Sequence, residues 1–116
     1  MNQNKFGLLT RDIKSIIGVL RIFPEIEKAV IFGSRAMGNY KKGSDIDIAI
    51  YGQGITNQLV IKIRSILNEE QPIPYFVDLV GYNVITNENL KKHIDTFGIE
   101  IFNYKNLTQN ALRETK

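Results

Sequence analysis

Two carboxylates, Asp45 and Asp47, lie two residues apart in a short apolar segment and are well placed to bind a metal ion. They alternate with Ile46, Ile48 and Ile50, a pattern typical of a β-strand with one polar and one apolar face. Two carboxylates on one face near a core repel each other and lose hydration, and a divalent cation relieves both costs. Because cysteine is absent and no histidine is near, oxygen ligands favour Mg²⁺ or Mn²⁺ over zinc.

A Gly-Ser pair, Gly33 and Ser34, ends the apolar run from Ala29 to Phe32 and precedes a segment able to form one short helical turn. Such a break presents free backbone N–H groups to an anion, and the Ser34 hydroxyl adds a further donor. Arg35 and two lysines further along the loop either contact phosphate oxygens or only solvate the loop. A phosphate cradle followed by metal-binding carboxylates suggests a metal-bound nucleoside triphosphate.

Gly33-Ser34, followed after ten residues by Asp45-Ile46-Asp47, resembles the Gly-Ser…Asp-x-Asp signature of the DNA polymerase beta-like nucleotidyltransferase superfamily. The short chain and the form Gly-Ser-Arg-Ala-x-Gly…Gly-Ser-Asp-Ile-Asp look like the minimal nucleotidyltransferases (MNT). This group includes the antitoxins of HEPN/MNT toxin–antitoxin pairs. The resemblance covers most of the chain, from about residue 10 to about residue 103.

The resemblance implies an α/β (α+β) fold in which a small mixed sheet carries helices on one side. It implies transfer of a nucleoside monophosphate, AMP from ATP, to an acceptor hydroxyl. Asp45, Asp47 and a third carboxylate, Asp78, on the neighbouring strand would be the catalytic residues and would bind two Mg²⁺ ions. Gly33, Ser34 and Arg35 would bind the nucleotide; of these, Arg35 is included only because it adjoins the Gly-Ser pair.

Minimal members of the superfamily lack a separate substrate domain, so the resemblance also implies a partner that supplies the acceptor. The expected partner is an all-helical HEPN-like protein, encoded nearby, whose tyrosine hydroxyl accepts AMP within a hetero-oligomer. A small-molecule acceptor such as an aminoglycoside is less favoured. The alternative is a catalytically weak subunit that neutralises or scaffolds its helical partner by contact alone, through the apolar surface around Val60 and Ile61.

Length and composition limit the remaining functions. A chain of 116 residues with 43% hydrophobic residues is expected to form one domain with a real core. The absence of cysteine excludes a disulfide framework and a thiolate nucleophile. A net charge of +3 with scattered basic residues does not indicate nucleic-acid binding. Neither a charged leader nor a long apolar run is present, which predicts a cytoplasmic protein without a membrane segment.

Periodicity and turn residues predict the elements that hold these groups in place. Helices are expected from Thr10 to near Pro24, at 57–69 and at 88–97, strands at 28–32, 45–51 and 75–80, and a short extended tail at 99–104. Residues 1–9 and 105–116 are expected to be flexible ends. His93, the single histidine, is expected to be on the surface or partly packed.

Overall fold

The structure is a computed structural model that describes residues 5–105. The four helices that it describes are α1 (Thr10–Leu20), α2 (Gly33–Met37), α3 (Asn57–Glu69) and α4 (Glu88–Phe97). The four strands are β1 (Lys28–Phe32), β2 (Ile46–Tyr51), β3 (Val77–Gly81) and β4 (Ile99–Asn103), and a 3₁₀ turn (Tyr82–Val84) follows β3. The predicted order of helices and strands is therefore confirmed.

The four strands form one mixed sheet in the order β3-β2-β1-β4. β1 pairs antiparallel with both β2 and β4, whereas β2 and β3 are parallel. The reversal between β1 and β2 uses Gly38 and Gly43, both of which have a φ of 85°, a backbone conformation that glycine adopts without strain. The parallel pair needs a long crossover, and α3 provides it. This confirms the predicted fold class.

The two faces of the sheet are covered by different helices. Ile46, Ile48 and Ile50 are fully buried in the main core, together with residues of α1 and α3. On the opposite face, Ile94 of α4 packs in a smaller cluster with Val30 and other residues of β1 and β2. Helices α1 and α3 thus lie on one side of the sheet, as predicted. α4 covers the other side, because its apolar side chains pack against the strand residues that point to that face.

Side-chain caps fix the start of the two helices whose limits agree with the sequence prediction. The Thr56 hydroxyl accepts a hydrogen bond from the Leu59 N–H at 3.1 Å, and the Asn87 side chain accepts one from the Leu90 N–H at 3.1 Å. Each cap satisfies an N–H group that has no partner within its helix. Among the described helices, none is both long and apolar enough to cross a membrane.

The segment before α1 differs from its prediction as a loose arm. Phe6 is 6% exposed and Leu8 is fully buried, and both belong to the main core. Burial of two large apolar side chains outweighs the entropy of a free chain end. The predictions for residues 1–4 and 106–116 lie outside the described residues.

Candidate active site

The predicted metal ligands converge at one end of the central strands. Phe32, the last residue of β1, is paired with Asp47 of β2, and Asp47 is paired in turn with Asp78 of β3. Asp47 therefore has Asp78 on one side and the start of the Gly33-Ser34 turn on the other. The structure places Asp78 on the strand beside the Asp-x-Asp strand, as the resemblance implies. Asp45 lies one residue before β2, which begins at Ile46 and not at Asp45 as predicted, and its side chain is exposed.

Gly33 allows the turn to approach the Asp47 carboxylate closely. Its φ is 73°, in the left-handed region, and a Cβ atom at this position would overlap Oδ2 of Asp47. Any larger residue would have to displace the carboxylate. Gly33 and Ser34 are the first two residues of α2, and Phe32 before them has no side-chain oxygen that could cap the helix. The first backbone N–H groups of α2 thus lie next to the carboxylates.

The electrostatic environment of Asp47 disfavours its negative charge. Burial raises the pKa of Asp47 to about 6, and the charges of Asp78 and Asp45 add to the effect. The guanidinium of Arg35 acts in the opposite direction and lowers this pKa, but more weakly. Asp47 is half-buried and has two acidic neighbours, so a bound cation would stabilise its charged form.

The donor set fits a magnesium ion that is shared with a substrate. Within residues 5–105, no group of three or more His, Cys, Asp or Glu side chains is arranged to bind a metal ion unaided. Asp47 and Asp78 nevertheless lie side by side, and they offer oxygen atoms only. Mg²⁺ is commonly bound through one or two carboxylates, with substrate phosphates and water completing the coordination. The carboxylates and the adjacent turn satisfy that requirement together.

Arg35 is part of the scaffold of this site. It is 2% exposed, and its guanidinium donates hydrogen bonds to the Ser44 carbonyl at 2.8 and 3.0 Å and to the Phe6 carbonyl at 2.8 Å. The guanidinium also lies over the Tyr75 ring, 4.4 Å from its centroid. Arg35 therefore ties α2 to the loop before β2 and to the N-terminal segment. Direct contact with phosphate stays a prediction and would require Arg35 to give up some of these bonds.

One residue at the site was not predicted from sequence. Nε2 of His93, on α4, accepts a hydrogen bond from the Gly33 N–H at 3.2 Å. The imidazole ring contacts Phe32 edge-on, with centroids 6.0 Å apart, and Phe97 at 5.1 Å. A single bond between residues sixty positions apart leaves no periodic pattern in the sequence. The only feature of the sequence that could have drawn attention to His93 is that it is the single histidine.

Comparison with known proteins identifies the family. A sequence profile described as "Polymerase beta, Nucleotidyltransferase" matches residues 14–107. The chain belongs to this nucleotidyltransferase family. The match includes the Gly-Ser turn and all three aspartates of the acidic site. A search of curated proteins gave no significant match to this nucleotidyltransferase.

Solved structures agree with this assignment. The nucleotidyltransferase is similar to a crystal structure of a toxin–antitoxin with AMP-PNP, with 25% identity and a TM-score of 0.68 over 81% of this chain and 75% of that chain. It also resembles an MntA–HepT toxin–antitoxin structure (22% identity, TM-score 0.65, 84% and 75% coverage). A third structure is that of a tri-AMPylated Shewanella oneidensis HEPN toxin with its MNT antitoxin (22% identity, TM-score 0.63, 85% and 76% coverage). The fold is that of MNT antitoxins.

Proposed function

We propose that this nucleotidyltransferase transfers a nucleoside monophosphate, AMP from ATP, to a tyrosine hydroxyl of a HEPN-like partner and so acts as an antitoxin in the cytoplasm. The observation that carries the proposal is the placement of Asp47 beside Asp78 at the Gly33-Ser34 turn. Further support comes from two similar structures, one containing AMP-PNP and one containing an AMPylated toxin. Addition of AMP to the partner would add negative charge and bulk at the modified position.

In the proposed reaction, the acceptor hydroxyl oxygen attacks the α-phosphorus of the nucleotide, and the bond to the pyrophosphate leaving group breaks. Asp47 and Asp78, with Asp45, would hold Mg²⁺, which neutralises phosphate charge and lowers the pKa of a bound hydroxyl. Asp78 would accept the proton of the attacking hydroxyl, or would share in holding the ion that lowers the pKa of that hydroxyl. The turn at Gly33 and Ser34 holds the β- and γ-phosphates, with Ser34 as the donor because His93 accepts the Gly33 N–H, so that the leaving group is in line with the attacking oxygen.

The site also has a surface on which a protein acceptor could dock. Met37 at the end of α2 is 45% exposed, and Phe97 at the end of α4 is 41% exposed. These two helices pack against each other beside the phosphate turn. Exposed apolar side chains on the two helices beside the turn favour a macromolecular acceptor over a small polar one.

The test is intact-mass spectrometry of the partner after coexpression with this chain, with an Asp47→Asn variant in parallel. We expect the partner to gain whole nucleotide units with the wild type and none with the variant, because the variant loses a charged metal ligand while keeping the shape of the side chain. The mass of the added unit identifies the base. A partner that copurifies unmodified with both chains, despite available nucleotide and Mg²⁺, contradicts the proposed transfer.

A second candidate is a subunit that neutralises its partner by binding alone. Its support is two exposed apolar side chains outside the acidic site, Ile22, which is 70% exposed, and Ile61 on α3, which is 60% exposed. Val60, which we grouped with Ile61 from sequence, is buried in the core and cannot contribute. Under this alternative, Asp47→Asn still neutralises the partner, whereas Ile61→Asp releases it. The two candidates therefore respond to different variants.

A further inference from the structure

The hydrogen bond between His93 and Gly33 joins α4 to the residue that begins the phosphate turn. Nε2 of His93 accepts from the Gly33 N–H at 3.2 Å, and this N–H belongs to the peptide between Phe32 and Gly33. We infer that His93 is a positioning residue that holds this peptide in the orientation that admits a phosphate at the turn. The inference rests on the proposed function and specifies how the nucleotide side of the site is kept in shape.

The peptide between Phe32 and Gly33 needs such a restraint because glycine has no side chain to fix it. Gly33 has a φ of 73°, and glycine populates both positive and negative φ readily. If this peptide turned over, the Phe32 carbonyl would face Nε2 of His93, and two hydrogen-bond acceptors would meet with no donor between them. The bond to His93 therefore favours one orientation of the peptide. With the peptide fixed, the next donors of the turn, the N–H and hydroxyl of Ser34, are available to an anion.

His93 is suited to this role because its ring is itself held in place. Phe32 contacts the imidazole edge-on, at a centroid separation of 6.0 Å, and Phe97, one turn further along α4, lies 5.1 Å away. Ile94, the next residue, is 2% exposed and anchors α4 in the smaller core cluster. To accept from Gly33, Nε2 must be unprotonated, which places the ring proton on Nδ1. The bond thus links a rigid helix to a flexible peptide.

His93 supplies an acceptor for an N–H that has no partner within α2. The first N–H groups of a helix lack partners within it, and Phe32 has no oxygen to offer α2. With the Gly33 N–H satisfied by His93, the N–H and hydroxyl of Ser34 follow in a defined direction. His93 therefore need not touch the nucleotide to affect its binding.

The experiment compares two variants of His93 in the 116-residue chain by calorimetric titration with Mg²⁺ and AMP-PNP. His93→Phe keeps a ring between Phe32 and Phe97 but removes the acceptor. We expect it to weaken AMP-PNP binding about five-fold, the effect of losing one hydrogen bond. His93→Gln places an amide oxygen near the position of Nε2, and we expect it to bind within about two-fold of wild type. Rescue by glutamine separates a role of the acceptor from a role of the ring.

Two controls keep the result interpretable. Asn89→Ala changes an exposed residue of α4 and should bind as wild type does. If His93→Phe does not fold, as judged by circular dichroism, His93→Asn replaces it, since its shorter side chain cannot reach the Gly33 N–H. Imidazole ¹⁵N shifts provide a direct readout, since a chain with one histidine gives one set of signals, and we expect the Nδ1–H tautomer.

The outcomes separate this inference from the proposed function. Absence of AMP-PNP binding by wild type would overturn the proposed function itself. Wild-type binding combined with unchanged or tighter binding by His93→Phe would overturn the role of His93 and leave the proposed function standing. Tighter binding would mean that His93 competes with phosphate for the Gly33 N–H. A ring protonated at Nε2 would also contradict the inference.

Discussion

The two ends of the β1–β2 pair differ in whether their polar side chains have stabilising partners. At the acidic end, where Phe32 pairs with Asp47, carboxylates crowd together, and the pKa of Asp47 is raised to about 6. At the aromatic end, where Lys28 pairs with Tyr51, the polar groups have partners. Tyr51 stacks on Tyr82 with centroids 4.6 Å apart, and Nζ of Lys28 lies 4.2 Å from the Tyr51 ring centroid.

This difference favours the acidic end as the place of the proposed chemistry. Burial and the nearby Tyr82 raise the pKa of Tyr51 to about 12, so the phenol stays neutral at physiological pH. The Tyr82 hydroxyl donates to Asp95 at 2.7 Å. A cavity of about 510 Å³ lies at the aromatic end, although the groups that could bind metal and phosphate lie at the other end. Cavity size would favour the aromatic end, whereas unrelieved charge favours the acidic end, where we propose the site.

The largest effect should come from removing one carboxylate at the acidic end. We expect Asp78→Asn to lower the rate of nucleotide transfer to the partner on the order of 10²-fold or more, because a charge that acts in the transition state is lost. At the aromatic end, Tyr51→Phe keeps the stacked ring and should change the rate less than about two-fold. Time courses of partner modification by intact mass provide the measurement. Similar losses in the two variants would contradict the assignment of function to one end.

A smaller effect is expected when the close approach at Gly33 is blocked. Gly33→Ala and Gly38→Ala each place a side chain at positive φ, which costs about 1–2 kcal/mol. The added Cβ at Gly33 also overlaps the Asp47 carboxylate, whereas at Gly38 it meets nothing within 4 Å. We therefore expect the free energy of unfolding, measured with urea, to fall about 1 kcal/mol further for Gly33→Ala. Equal losses would show that the turn and the carboxylate move apart without cost.

The smallest effect concerns stability and pH. The pKa of Asp47 is about 6 in the folded protein against 3.8 as the ordinary value, so the folded state holds the proton more tightly. The free energy of unfolding therefore falls as pH rises from 3.8 to about 6, and above pH 6 wild type has lost all of this contribution. After allowance for solvent screening, we expect Asp47→Asn to be more stable by about 1 kcal/mol at pH 7.5 and equal to wild type near pH 4.

Thermal unfolding midpoints of wild type and Asp47→Asn, measured across this pH range, test that expectation. Measurements with Mg²⁺ provide a further test. Addition of Mg²⁺ should raise the midpoint of wild type and leave Asp47→Asn unchanged, because only the carboxylate pair attracts the ion. Tyr51→Phe should show no such pH window, since the phenol does not titrate there. A pH-independent difference between wild type and Asp47→Asn would mean that the site is not electrostatically strained.

Local signals in the sequence predicted much of this fold. The limits of α3 and α4 agree with prediction because capping and periodicity lie within a few residues of each other. Strand starts were less accurate, since β3 begins at Val77 and not at residue 75. A strand begins where its hydrogen-bonded partner begins, and the residue pattern of one strand does not contain that information. The pairing of Asp47 with Asp78 came from the family resemblance and not from composition.

The supports of the site were not predictable in the same way. Arginine is usually exposed, so nothing near Arg35 indicated that it would be buried against three carbonyl groups. The bond from Gly33 to His93 and the burial of Phe6 depend on residues that are distant in sequence. The aspartates and the Gly-Ser turn were predictable because their types and spacing are distinctive. The residues that hold them in place have no such pattern.

The parallel pairing of β2 with β3 imposes an order on the assembly of this site during synthesis. The β1–β2 hairpin closes a short loop, whereas Asp78 reaches Asp47 only after α3 has crossed over. Closing the longer loop costs more chain entropy. A nascent chain therefore carries the Gly-Ser turn and the first two aspartates before it can complete the acidic cluster. The proposed nucleotide site is therefore completed late, once β3 and then α4 have emerged from the ribosome.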